Sequence, residues 1–137
     1  MIRFNVFFDN NCPPLMARCL AGFLSSDKQR RVVHIGDVLP RNSSDETWIR
    51  WVGAEPGHWI VVSKDRKIKT VPAERRAFME AKIRLVAIMP ALIKMQNNEQ
   101  CARLIQQWPA IEAALSRFDP PIAVGITGKW NDKLKSL

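Results

Sequence analysis

Ile2-Arg3-Phe4-Asn5-Val6-Phe7-Phe8-Asp9-Asn10-Asn11-Cys12-Pro13-Pro14 is the stretch that decides the fold. Its apolar, β-branched and aromatic residues form a short run bounded by polar residues and prolines, the pattern of a buried strand. Pro14 suits the first turn of a following helix, where its missing N–H costs nothing. Asp9 therefore stands at a strand's carboxyl end. In open α/β sheets that edge collects ligands and chemistry, because strands hold the starting points of the loops there.

Downstream, Leu15, Cys19, Leu20, Phe23 and Leu24 recur at helical spacing and predict an amphipathic helix ending near Ser25. A polar loop over residues 26–31 leads to a short second strand, Val32-Val33-His34-Ile35, in which His34 reads as a packed, hydrogen-bonded residue rather than a ligand. Gly36 to Pro40 reads as a turn. Ser44 or Asp45 caps the next helix, whose apolar stripe is Trp48, Ile49 and Val52 and which Gly53 and Pro56-Gly57 stop. His58-Trp59-Ile60-Val61-Val62 predicts a third strand running into Ser63-Lys64-Asp65-Arg66, so a second strand delivers a carboxylate to its carboxyl end.

Further on, Pro72 opens a helix through Lys82, Ile83 to Met89 forms a fourth strand, and Pro90 ends it. Cys101, Leu104, Ile105, Trp108, Ile111, Leu115 and Phe118 mark a long helical stripe, which Pro109 is expected to kink or divide by removing an internal donor. Ile122 to Ile126 is a last strand before a basic tail with Trp130. Alternating strands and helices predict an α/β fold: a three-layer α/β/α sandwich with a mostly parallel sheet of about five strands. Right-handed crossovers bring Asp9, Asp45 and Asp65 to one edge of that sheet.

The chain has 137 residues, 47% hydrophobic and 25% charged, which suits a single domain over 1–137 able to bury its own core. No apolar stretch approaches the roughly 18 residues of a membrane span. The N-terminal run carries Arg3 and Asn5 and lacks a small-residue cleavage site, so a cytoplasmic protein is expected. Lys and Arg total 21 against 13 Asp and Glu, a net charge of +8, and such an excess favours polyanions. Cys12, Cys19 and Cys101 have no metal-type spacing and read as reduced, structural thiols. The five tryptophans, Trp48, Trp51, Trp59, Trp108 and Trp130, read as core or interface residues rather than base-stacking platforms.

Taken singly, each acid has a plain structural explanation: Asp9 and Asp45 as helix caps, Asp65 as a turn residue. Two strands ending in Asp and a third acid at a helix entrance favour a shared site. Three converging carboxylates repel one another unless a cation neutralises them, and hard oxygen donors without a Cys or His cluster select Mg²⁺ or Mn²⁺ over Zn²⁺. An acidic pocket inside a basic protein suits phosphodiester cleavage, the surface gathering the polyanion and the metal engaging the phosphate.

These residues resemble the small PIN-like domains related to the ribonuclease toxins of VapC-type toxin–antitoxin pairs. The resemblance runs over most of Ile2 to Met89. It rests on Asp9-Asn10-Asn11 followed by Pro13-Pro14-Leu15, on His34-Ile35-Gly36-Asp37-Val38, on Ser44-Asp45-Glu46 with Trp48-Ile49, and on Val61-Val62-Ser63-Lys64-Asp65. It implies a PIN-type fold, endoribonuclease chemistry with Mg²⁺ or Mn²⁺, and a cognate antitoxin as partner beside RNA. Asp9, Asp45 and Asp65 would then be metal ligands and catalytic residues, with Asn11 and Glu46 in support; Lys64 and Arg66 are read as contacts to the RNA backbone. Asn10 stands where the family often has Glu, and Lys67 where a further Asp often follows. Those departures keep open a catalytically weak or inactive PIN-like module that binds RNA or a protein partner. A homodimer is also expected, from the apolar residues between Trp108 and Ile126.

Overall fold

The computed structural model describes residues 2–40, 42–64 and 71–127, and the backbone of 135–136. The first strand, β1, is Phe4–Phe8, and the helix entered at the prolines, α1, is Pro14–Phe23, with Pro13 at its N-cap. Then come β2 (Val32–His34), a one-turn helix α2 (Ile35–Val38), α3 (Asp45–Ala54) and β3 (His58–Ser63). The second half holds α4 (Pro72–Glu80), β4 (Arg84–Ile88), a one-turn α5 (Pro90–Ile93), α6 (Asn97–Ser116), β5 (Ile122–Ile126) and the short β6 (Lys135–Ser136).

The strands form one sheet in the order β2-β1-β3-β4-β5-β6, parallel throughout except for β6, which runs antiparallel to β5. This is the α/β sandwich that the alternation of strands and helices predicts. Side-chain alternation divides the core in two. Phe4, Val6, Phe8, Ile60, Val62, Val86, Ile88, Val124 and Ile126 face α1 and α6, where Met16, Leu20, Leu104, Trp108 and Ile111 meet them. Phe7, Trp59, Val61, Leu85 and Ala123 face the other way, against Trp48, Ile49 and Val52 of α3 and Ala77 and Phe78 of α4. Full burial on both faces is why Val6 to Phe8, Trp59 to Val62 and Leu85 to Ile88 read as continuous apolar runs rather than alternating ones.

Some local expectations need correction. Ile35 to Val38 form a helical turn rather than a strand end and a turn, because the His34 ring and the Asp37 carboxylate cap it reciprocally. Pro90 does end the fourth strand but starts α5 at once. Pro109 neither ends nor divides α6, which runs unbroken from Asn97 to Ser116. The apolar contacts of Trp108, Ile111 and Leu115, all completely buried, hold the helix across the missing donor. Trp48, Trp59 and Trp108 are core residues and Trp51 packs half-buried against Phe7 and Trp59, whereas Trp130 lies outside the described residues. Among the described residues no helix is long and apolar enough to cross a membrane.

Candidate functional site

The register of the two central strands builds the site. Phe8 pairs with Val62, so the next residues along, Asp9 and Ser63, stand side by side at the strands' carboxyl ends. Both fall on the face covered by α3, since they share the parity of Phe7 and Val61. The Asp9 amide donates to the Val62 carbonyl at 3.3 Å, extending the ladder by one residue and fixing the backbone beneath the carboxylate.

Asp9 is 1% exposed. Ser63 donates its hydroxyl to Asp9 Oδ2 at 2.5 Å, and the Asn11 backbone N–H donates to Oδ1 at 3.1 Å. These bonds favour the ionised form, yet burial outweighs them and pushes the carboxyl up to about 6, with the negative charge of Asp45 adding to the rise. Asp9 does not cap α1: the cap position is Pro13, which offers no side-chain bond.

Asp45 reaches the same edge on the first turn of α3. The cap of that helix is Ser44, whose hydroxyl accepts from the Thr47 N–H at 3.2 Å. Asp45 is thereby free of capping duty, although its place in the first turn suits the helix dipole. One turn on, the Trp48 indole N–H donates to Asp45 Oδ1 at 2.9 Å and fixes the carboxylate from the core side. Trp48 itself stacks on Phe7 at 5.4 Å between ring centroids, so the apolar core braces the acid.

The remaining candidates divide. Asn11 is exposed and contributes its backbone N–H to Asp9. Glu46 is engaged by Arg50, one turn along α3, at 2.9 Å. Lys64 is half-buried, and its charge acts on the thiols of Cys12 and Cys101, placing it on the α6 side of the edge. Burial holds the Cys12 thiol well above its usual range, with Asp9 reinforcing it and Lys64 opposing. Asp65, Arg66 and Lys67 lie outside the described residues.

Sequence reasoning passed over Ser63 and the indole of Trp48. Both carried a readable signal: Ser63 has the strand parity that faces Asp9, and Trp48 follows Asp45 by three residues on one helix face. His34 lies in a strand as expected, as the last residue of β2, and its half-buried ring also caps α2.

The donor set fits a hard divalent cation: two carboxylates near enough for one to raise the other, one of them buried and costly to ionise alone. Among the described residues no group of three or more His, Cys, Asp or Glu side chains is placed to hold a metal ion, so the set there consists of Asp9 and Asp45.

Fold and edge together define a parallel α/β domain that presents acidic side chains at the carboxyl ends of its central strands. A family model described as a PIN-like domain matches residues 4–89, more than half of the chain, and the chain belongs to that family. PIN-like domains form a nuclease superfamily and typically use divalent metals. No curated protein and no solved structure matched the chain.

Proposed function

We propose that the chain is a metal-dependent endoribonuclease of PIN-like type, the toxin of a type II toxin–antitoxin pair related to the VapC group. Its Mg²⁺ or Mn²⁺ would be held by Asp9, Asp45 and Asp65, with Asn11 and Glu46 in support. The observation that carries this reading is the state of Asp9: a buried carboxyl at a strand's carboxyl end, raised to about 6 and pressed further by Asp45. A charge so placed is stabilised by a cation far more than by any neutral ligand.

When bound, the metal supplies a water of lowered pKa and neutralises charge on the leaving oxygen. The chain's own residues hold the geometry. Ser63 and the Asn11 amide fix both oxygens of Asp9 and Trp48 fixes Asp45, while Lys64 and Arg66 would contact the RNA phosphates. RNA, a cognate antitoxin and a second copy of the chain are the partners proposed.

Purified protein incubated with labelled RNA, with Mn²⁺ and with EDTA, tests the reading. Cleavage that needs Mn²⁺ and disappears in Asp9→Asn and Asp45→Asn supports it. Full activity in both variants refutes it. The Asn10 and Lys67 substitutions favour a second reading, an inactive PIN-like module that binds RNA or protein; salt-sensitive RNA binding that does not respond to EDTA, with no cleavage, selects it.

A further inference from the structure

The loop from Asp9 to Pro13 carries the buried carboxylate, and Pro13 has no N–H to contribute to holding it. Inside it, the Cys12 N–H bonds to the Asp9 carbonyl at 3.1 Å and the Asn11 N–H to the Asp9 carboxylate at 3.1 Å. From outside, Asp9 is held by Val62 and Ser63, the Cys12 thiol reaches the Val62 carbonyl at 3.6 Å, and a histidine reaches the Cys12 backbone. His34 Nε2 lies 2.8 Å from the Cys12 carbonyl oxygen, across 22 residues of sequence.

The ring's other contact fixes how that bond is made. Nδ1 of His34 accepts from the Gly36 N–H at 3.1 Å, so Nδ1 carries a lone pair. A carbonyl only accepts, so Nε2 carries the hydrogen. Of the three forms of imidazole, only the neutral Nε2–H tautomer satisfies both neighbours; the others set an N–H of the ring against that of Gly36. His34 is held in turn, its own N–H donating to Asp37 Oδ2 at 3.0 Å. Asp37 and Arg18 of α1 are the charged groups that line a small cavity with the ring, of about 80 Å³.

We propose that His34 is a positioning residue with two separable duties: Nδ1 caps α2, and Nε2–H anchors the Cys12 carbonyl so that the loop presents Asp9 and Asn11 in one conformation. The anchoring stands on the hydrogen bonds themselves; only its consequence for metal binding rests on the function proposed above.

Two substitutions divide the duties. Asn in place of His34 offers an oxygen near the Nδ1 position, a favoured helix cap, but is too short to reach Cys12. Gln in the same place offers an amide N–H near the Nε2 position and leaves the cap weakened. Amide hydrogen exchange by NMR is expected to show His34→Asn keeping Gly36 protected while Asn11 and Cys12 exchange roughly three- to tenfold faster. His34→Gln is expected to do the reverse, and Mn²⁺ affinity, by calorimetry, to fall in His34→Asn and recover in His34→Gln. The imidazole ¹⁵N signals of the wild type are expected to show a protonated Nε2 and a bare Nδ1. The opposite tautomer, or wild-type exchange at Asn11 and Cys12 in His34→Asn, overturns the proposal. A wild type that binds no Mn²⁺ overturns the metal reading instead, and the exchange and ring signals still decide the role of His34.

Discussion

Ser63 donates its hydroxyl to the buried carboxylate of Asp9 across 2.5 Å, joining the carboxyl ends of the two central parallel strands. The pair exists because the β1–β3 register sets the two residues side by side at the point where each strand leaves the core. Neither side chain has water to turn to. Their energetics are therefore coupled, and the coupling is open to measurement.

Asp9 makes stability fall as pH rises. Its carboxyl is raised from 3.8 to about 6, so the folded state favours the proton more than the unfolded chain does. The corresponding stability is fully present below about pH 3.8 and is lost as pH rises through about 6. By linkage the loss is about 3 kcal/mol for a shift of roughly two units. Denaturant unfolding of wild type and Asp9→Asn between pH 4 and pH 8 without metal is expected to show the variant gaining on the wild type by about that amount. Parallel curves would mean that Asp9 is solvated.

Ser63→Ala removes the hydroxyl that supports the ionised form. The carboxyl of Asp9 is expected to rise further, and the variant to lose roughly 1.5–3 kcal/mol at pH 8, the range for a hydrogen bond to a charged group. At pH 4, where the carboxyl is neutral, the loss is expected to be smaller. Chemical unfolding at both pH values checks this, and equal losses would show that the hydroxyl does not discriminate between the two forms.

Gly53 lets α3 approach the end of α4. A Cβ added there would lie 2.7 Å from Ala81 Cβ and 3.2 Å from its Cα. Ala normally improves a helix interior by up to about 1 kcal/mol over Gly, so the sign of Gly53→Ala tests the contact. Because the obstruction is partly backbone and has no flexible end to swing aside, a net loss of about 1–3 kcal/mol is expected. The denaturation midpoint measures it, and an unchanged or higher midpoint would show that α4 yields.

Much of this was legible in the sequence because burial leaves a compositional trace. Val6 to Phe8 and Trp59 to Val62 are apolar on both faces, which announces strands inside a parallel sheet, and the prolines at 14, 72 and 90 mark helix starts by the donors they lack. What escaped was either short or relational. α2 has four residues, too few for a period, and exists through the His34 and Asp37 caps. The continuity of α6 through Pro109 depends on tertiary contacts that local propensity does not contain. At the acidic edge the residue types pointed to Asp9, Asp45 and Asp65, the last outside the described residues, whereas the bonds from Ser63 and Trp48 become visible only once register and helix face are known.

The joint role of Asp9 and Asp45 in holding a divalent ion is tested most directly by titrating ¹⁵N-labelled protein with Mn²⁺ and following paramagnetic broadening of the amides. A shared cation predicts that Asn11, Ser63 and Thr47 broaden first and together, and that Asp9→Asn abolishes the pattern while the rest of the spectrum stays in place. Broadening centred elsewhere, or unchanged in Asp9→Asn, would contradict it.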